Sequence, residues 1–333
     1  MTLKLMKILD PIIESLFNIT SSEQFEEKAL ELFWFHYEHN SVYRKFVDLI
    51  KLDSSKVTSI EQIPYLPISF FKSHKLNVKQ SHEIVFKSSG TTGQSRSRHL
   101  VADLALYEQS FELGFRHTYG DPRDYTLLAL LPSYLEQGES SLVYMAQSLI
   151  QKSGKDQSSF YLNDFEKLNA TIHGLEKSEE PYILLGVSYA LLDFFEEFPQ
   201  KITTGIVMET GGMKGRRKEM TKTELHRELR TGSGATTIHS EYGMTELLSQ
   251  AYSQGGELYH CPPWMKVTTR STTDPLSLVH NQRGLINVID LANVYSCPFL
   301  STEDLGYVYP DGSFEVLGRF DTSEMRGCNL LVE

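Results

Sequence analysis

Apolar residues at Leu5, Ile8, Leu9, Ile12, Ile13 and Leu16 recur every three or four positions, so the spacing predicts a helix over 5–17. Ser21 and Ser22, followed by Glu23 and Glu26, supply a start signal for a second, amphipathic helix running to about residue 39. A third helix over 41–50 completes a helical cap. Ile63-Pro64-Tyr65-Leu66-Pro67 excludes helix, because proline lacks the N–H and restricts its predecessor. That stretch leads an extended segment to Ile84, Val85 and Phe86, which read as a short buried strand.

Beyond residue 100 the periodicity alternates. Helix is predicted over 102–117, strand over 125–131 up to Pro132, and helix over 140–152. Strand over 182–185 is followed by helix to Phe198. Strand over 205–209 is followed by Gly211-Gly212 and a charged helix through Arg230, and 236–239 leads to a further turn. Strands alternating with helices predict an α/β fold with an open, mainly parallel sheet whose site lies at the strand ends. From residue 265 the pattern changes to short strands with turn signals. Asp311-Gly312, between 308–310 and 314–317, is a hairpin turn and indicates antiparallel structure.

The strand at 84–86 breaks into Ser88-Ser89-Gly90-Thr91-Thr92-Gly93, four hydroxyls and two glycines in six residues. Glycines let successive N–H groups converge into a nest for phosphate oxygens, hydroxyls add donors, and Arg96 and Arg98 offset the charge. The spacing is not that of a P-loop. The same composition is also ordinary loop punctuation. Three further segments have the makings of a site. Glu209-Thr210-Gly211-Gly212 allows close backbone approach to a flat base, or is a helix-entrance turn. Glu241-Tyr242-Gly243-Met244-Thr245-Glu246 offers an aromatic face, a hydroxyl and a carboxylate suited to magnesium, or is a turn before a capped helix. Asp304 and Arg319, separated by a hairpin, could converge on ribose hydroxyls.

Composition narrows the class. The chain has 333 residues, 40% hydrophobic and 23% charged, as in a soluble globular protein. Eighteen Phe and 17 Tyr could line an apolar pocket, and the 132–142 segment beside a strand end is one place for it. A net charge of −11 argues against extended nucleic-acid binding but not against a nucleotide in a local basic pocket. Cys261, Cys297 and Cys328 form no C-x-x-C pair, which points to reduced thiols in a cytoplasmic protein rather than a disulfide framework or zinc site. Asp10 and Glu14 interrupt the first apolar run, so no signal peptide is expected. No apolar run approaches the roughly 20 residues of a membrane span. His36 and His39 are expected to be packing or surface residues.

SSGTTG, EYGMTE and TEDLG…DG…GRFD, in that order over residues 84–328, resemble the motifs of the adenylate-forming superfamily of acyl-CoA synthetases, adenylation domains and luciferases. IPYLPISFF at 63–71, Ser140-Ser141-Leu142 and the ending Arg326-Gly327-Cys328 resemble, within it, the acyl-protein synthetases of the bacterial luminescence fatty acid reductase complex. The resemblance implies ATP and Mg²⁺ as cofactors. Ser88, Ser89, Gly90, Thr91, Thr92 and Gly93 would hold the ATP phosphates, Gly211 and Gly212 would pass along the adenine, and Tyr242 would pack on it. Thr245 would contact the α-phosphate, Glu246 the magnesium, and Asp304 with Arg319 the ribose; Asp321 matches the superfamily's hinge. Gln94-Ser95-Arg96 stands where the first motif usually closes with lysine, and only 12 residues follow Asp321, where the superfamily at large carries a mobile C-terminal domain.

The function implied is ATP-dependent activation of a carboxylic acid, a fatty acid above all, to an acyl-adenylate. Transfer to a protein cysteine and onward to an acyl-CoA-reductase-type partner would follow. The position of Cys328 implies that it takes the acyl group, with Arg326 favouring its thiolate; on residue type alone it is an ordinary cysteine near a terminus. The alternatives are a carboxylate-CoA or carrier-protein ligase and a non-catalytic nucleotide-binding subunit. The expected organisation is a helical cap over 1–80, an α/β nucleotide-binding core over 81–264, an antiparallel β subdomain over 265–320 and a hinge-like mobile tail over 321–333.

Overall fold

The structure, a computed structural model, describes residues 3–79, 81–89, 95–132, 139–213 and 215–320. Helices α1 (Leu3–Leu16), α2 (Ser22–His39) and α3 (Ser41–Leu49) open the chain where the periodicity places them. The short strand β1 (Leu66–Pro67) and the single turn α4 (Phe70–Ser73) lead to a hairpin of β2 (Ile84–Lys87) and β3 (Arg98–Val101). Next come α5 (Leu104–Tyr119), β4 (Thr126–Leu130), α6 (Ser141–Ser153), β5 (Ser159–Phe160), α7 (Phe165–Ser178) and β6 (Tyr182–Val187). They are followed by α8 (Ser188–Glu197), β7 (Ile206–Thr210), α9 (Lys222–Ser233), β8 (Ile238–Tyr242) and β9 (Ala251–Ser253). The last part holds β10 (Met265–Arg270), β11 (Leu278–Val279), β12 (Gly284–Asp290), β13 (Phe299–Val308) and β14 (Phe314–Arg319).

The central sheet has the order β5-β4-β6-β7-β8-β9, parallel except for the antiparallel edge strand β9. Every residue of β4 and β6 is buried, the mark of parallel strands covered on both faces. Each large aliphatic side chain removed from water contributes about 1.5–3 kcal/mol. The second sheet, β1-β13-β12-β10-β11 with β14 on β13, is antiparallel apart from the β1–β13 pair. The Asp311-Gly312 hairpin joins β13 to β14 as predicted.

The sequence pattern does not show α4, β3, β5, α7 or β9. Helix α7 contains Asn169, Thr171 and Gly174 and buries only Leu168, Ile172 and Leu175, a weak stripe. Strand β5 has two residues. The charged helix after Gly211-Gly212 begins only at Lys222, where Thr221 and Glu224 form a capping box.

The N-terminal helices are fastened to the turn between β12 and β13. His36 Nε2 donates to the Val294 carbonyl at 3.0 Å and Asn40 Nδ2 to the Ser296 carbonyl at 2.9 Å, while Asn40 Oδ1 caps α3. His36 is therefore a packing residue, as expected, and burial lowers its pKa to about 3.

Candidate active site

The C-terminal ends of β7 and β8 lie side by side because Thr210 pairs with Glu241 in register. Glu209, just before the turn, is buried and accepts from Ser188 Oγ at 3.0 Å, with Lys222 Nζ at 2.5 Å. Burial would raise this carboxyl, but Lys222 beside it and its hydrogen bonds prevail, and its pKa falls to about 2. Gly211 follows with φ +69°, a left-handed conformation that lets the chain leave the strand without a Cβ clash.

Tyr242, at the end of β8, packs edge-on against Tyr259 and Phe314, and its hydroxyl donates to Asp304 Oδ2 at 2.9 Å. Asp304 pairs with Arg319 across the β13–β14 ladder, and the two side chains approach to 3.8 Å. Burial raises the Asp304 carboxyl, with Tyr242 and Arg319 opposing. Aspartate and arginine do converge, and they do so beside the predicted aromatic.

Thr245 and Glu246 follow in an irregular segment, not the capped helix that the motif also allowed. A chain of polar groups clamps that segment. His99 Nδ1 donates to the Thr245 carbonyl at 2.8 Å, and its Nε2 lies 3.0 Å from Ser296 Oγ. Ser296 Oγ donates to Asn293 Oδ1 at 3.0 Å, and Asn293 Nδ2 donates to the Glu246 carbonyl at 2.8 Å. Buried Asp290 accepts from the Leu248 and Ser249 amides, from Ser249 Oγ and from the Ala292 amide. Burial lowers the pKa of His99 to about 4, against the hydrogen bond to the Thr245 carbonyl.

The side chain of Glu246 is buried, which raises its pKa; a hydrogen bond from Ser97 and the nearby charges of Arg319 and Lys72 work against that rise. Ser97 lies beyond the first motif but is paired with it: its amide donates to Ser88 Oγ at 3.0 Å, and the Ser88 amide donates to the Ser97 carbonyl at 3.1 Å. Arg96 Nε donates to the Ser88 carbonyl, and its guanidinium lies 4.0 Å from Glu139, which also pairs with Lys87 at 2.6 Å. Gly90, Thr91, Thr92 and Gly93 lie outside the described residues, as do Asp321 and Cys328. A lone buried carboxyl flanked by hydroxyls fits a magnesium that takes most of its ligands from phosphate and water. Among the described residues no group of three His, Cys, Asp or Glu forms a closed metal cage.

Cys297 is buried and Cys261 half-buried, and desolvation pushes both thiols up to about 12, so neither is an activated nucleophile. A small apolar cavity of about 20 Å³ lies between the central sheet and helices α5 and α6. Leu127, Ala129, Leu185 and Met208 form its floor, and Phe115 and Met145 lie among its other walls. None of its lining residues lies in the 132–142 segment where an apolar pocket was expected, and its volume is far below the roughly 300–1,000 Å³ of a small-molecule site.

The family described as "Acyl-protein synthetase, LuxE" matches residues 9–110. The long-chain-fatty-acid–luciferin-component ligase of Aliivibrio fischeri is 23% identical over 327 residues, spanning 90% of this chain and 85% of that protein. Its Vibrio harveyi counterpart is 25% identical, spanning 89% and 84%. This chain resembles the acyl-protein synthetases. A 2-hydroxyisobutyryl-CoA ligase bound to an acyl-adenylate and CoA superposes with a TM-score of 0.65 at 12% identity, covering 93% of this chain and 71% of that one. ATP-bound MatB from Rhodopseudomonas palustris superposes with a TM-score of 0.53 at 18% identity. That alignment covers 71% of this chain and just under half, 47%, of MatB. The expected adenylate-forming α/β fold and the expected ligase class are both borne out.

Sequence reading missed His99, Ser97, Asp290 and Asn293, which hold the site without belonging to its motifs. Only the fold reveals them. His99 stands between Arg98 and Leu100 on β3, and nothing in that local pattern singles it out.

Proposed function

We propose that this chain uses ATP to activate a fatty acid as its acyl-adenylate and then transfers the acyl group to its own Cys328, from which a reductase partner takes it. The observation that carries the reading is the convergence of separate motifs at one edge of the sheet. Ser97, paired with Ser88, meets Glu246, and Tyr242 meets Asp304 and Arg319. Thr210 ends the neighbouring strand and Gly211 follows it. In open α/β sheets ligands bind outside the carboxyl ends of the strands.

In this reading Ser88 and Ser89, with Gly90 to Gly93, cradle the phosphates, and Arg96 braces the base of that loop through the Ser88 carbonyl. Gly211, Gly212 and Tyr242 take the base, and Asp304 with Arg319 takes the ribose. Thr245 reaches the α-phosphate. Glu246 would hold Mg²⁺, which supplies charge neutralisation at the phosphates. The carboxylate oxygen of the acid attacks the α-phosphorus and pyrophosphate leaves. The Cys328 thiolate then attacks the acyl carbon and AMP leaves. The raised thiols of Cys261 and Cys297 favour Cys328 for that step. An apolar surface of this chain takes the acyl chain, each buried methylene contributing about 0.8 kcal/mol.

Residues 81–264 then act as the nucleotide-binding core, 265–320 as the antiparallel part that brings Asp304 and Arg319, and 321–333 as the tail that carries the thiol. Free Cys261 and Cys297 support a reducing compartment, the cytoplasm. No helix among the described residues is long and apolar enough to cross a membrane.

The test is acid-dependent exchange of labelled pyrophosphate into ATP. Exchange that rises with chain length and then levels off supports the reading. Exchange without acid, or a preference for acetate over longer acids, contradicts it.

A further inference from the structure

The segment that carries Asp304 leaves the regular ladder of the second sheet. Leu285 of β12 faces Leu305 of β13 and Asn287 faces Ser301, so Ile286 alone stands against Thr302, Glu303 and Asp304. Bulges of this kind bend a strand, re-aim its side chains and recur beside active sites. This one ends on Asp304, which still pairs with Arg319 of β14 and accepts from the Tyr242 hydroxyl. Backbone groups that fall out of a buried ladder need other partners.

A buried arginine supplies them. Arg270, at the end of β10, reaches across β12. Its Nη1 donates to the Ile286 carbonyl at 2.8 Å and to Asn287 Oδ1 at 2.7 Å, and its Nη2 donates to the Thr302 carbonyl at 2.6 Å. The Thr302 hydroxyl closes the same knot, donating to the Ile286 carbonyl at 2.9 Å and accepting from the Asp304 amide at 3.1 Å. Arg270, Asn287 and Thr302 are all buried. Among the described residues no carboxylate pairs with Arg270; burial lowers its pKa to about 10, with nearby Glu303 opposing, so it stays charged at neutral pH. Asn287 turns its oxygen to the guanidinium while its Nδ2 has no hydrogen-bond partner among the described residues. A buried cation without a carboxylate is costly, and a well-packed apolar residue would serve stability as well. What arginine offers here is a planar fork that reaches two strands at once.

We infer that Arg270 is a positioning residue for the ribose site: from β10 it pins the bulge between β12 and β13 and so holds Asp304 where it meets the nucleotide. The assignment deepens the acyl-activating reading and rests on it, since that reading gives Asp304 to the ribose. Arg270 acts through the backbone of Ile286 and Thr302, not by contact with the nucleotide.

The experiment compares ATP with 2′-deoxy-ATP in acid-dependent pyrophosphate exchange by the full chain, read as the ratio of their KM values. Wild type should favour ATP about tenfold or more, because the deoxynucleotide lacks a hydroxyl that bonds a charged acceptor. Arg270→Met keeps an apolar stem and should bring the ratio close to one through a higher KM for ATP, while KM for the fatty acid stays level. Arg270→Lys keeps the charge without the fork and should lose most of the ratio too. Thr302→Val removes the hydroxyl between Ile286 and Asp304 and should lower the ratio, which decides the matter if the Arg270 variants do not fold. A merely structural arginine would lower the melting temperature of Arg270→Met and leave the ratio untouched. A wild-type ratio in the folded Arg270 variants, or in Thr302→Val where they do not fold, overturns the assignment of Arg270 alone. So does an equal rise in KM for the fatty acid, which marks general damage. A wild type that does not discriminate overturns the ribose role of Asp304 and this assignment with it. Absence of acid-dependent exchange overturns the acyl-activating reading as a whole.

Discussion

The hydroxyl of Tyr242 donates to Asp304 Oδ2 at 2.9 Å, joining the end of β8 in the central sheet to β13 in the second sheet. The two residues are far apart in sequence, and their meeting sets one wall of the candidate nucleotide site. Asp304→Ala should raise KM for ATP roughly 10- to 150-fold in pyrophosphate exchange, as hydrogen bonds to a charged group are worth about 1.5–3 kcal/mol. Tyr242→Phe should cost less, because Arg319 remains beside the carboxylate. An unchanged KM for ATP in Asp304→Ala removes that residue from the site.

Glu246→Gln tests the magnesium assignment. The substitution preserves shape, and the backbone carbonyl of 246 remains held by Asn293. Exchange should fall severely and most sharply at limiting Mg²⁺, because an amide is a poorer ligand than a carboxylate. Wild-type exchange at limiting Mg²⁺ would contradict the assignment.

Asp290 should behave as a scaffold for the same segment. Four donors converge on its carboxyl group. Asp290→Ala leaves them unpaired at about 1–3 kcal/mol for each buried group that finds no water. A large loss of denaturant midpoint, accompanied by loss of exchange, is expected. A stable Asp290→Ala protein with normal exchange would show that the 245–249 segment is held by other means.

Stability should decline on the acid side. His36, His99 and His239 have ordinary values near 6.5 in the unfolded chain and folded values of about 3, 4 and 4, all lowered by burial. Their contribution is present above about pH 6.5 and is lost as pH falls towards 4. Glu209, lowered from 4.5 to about 2, adds a further loss below about pH 4.5. Glu241 acts in the opposite sense, its contribution lost as pH rises through about 7. Melting temperatures measured across this range should therefore fall steadily below about pH 6.5. A flat profile would show that the histidines are not buried as described.

Much of this was legible beforehand. The β4, β6 and β7 strands announce themselves as apolar runs, and the Asp311-Gly312 hairpin carries Arg319 back to Asp304. The family resemblance puts Tyr242, Glu246 and Asp304 in one candidate site. What stayed hidden depends on pairing across the sheet. Glu241 is one more polar residue in a turn motif until register sets it against Thr210 and Tyr252. His99 carries no local signal until the fold brings Thr245 and Ser296 to its two nitrogens. Helix α7 was missed because its interior holds poor helix formers and tertiary packing supplies the stability.

The most direct test of the account is intact mass after incubation with ATP, Mg²⁺ and a long-chain fatty acid, comparing wild type with Cys328→Ser. Wild type should gain one acyl group that hydroxylamine removes. Cys328→Ser should gain none yet retain pyrophosphate exchange, while Cys261→Ser and Cys297→Ser should keep the adduct if they fold. An acyl adduct that persists undiminished in Cys328→Ser would contradict self-acylation at that thiol.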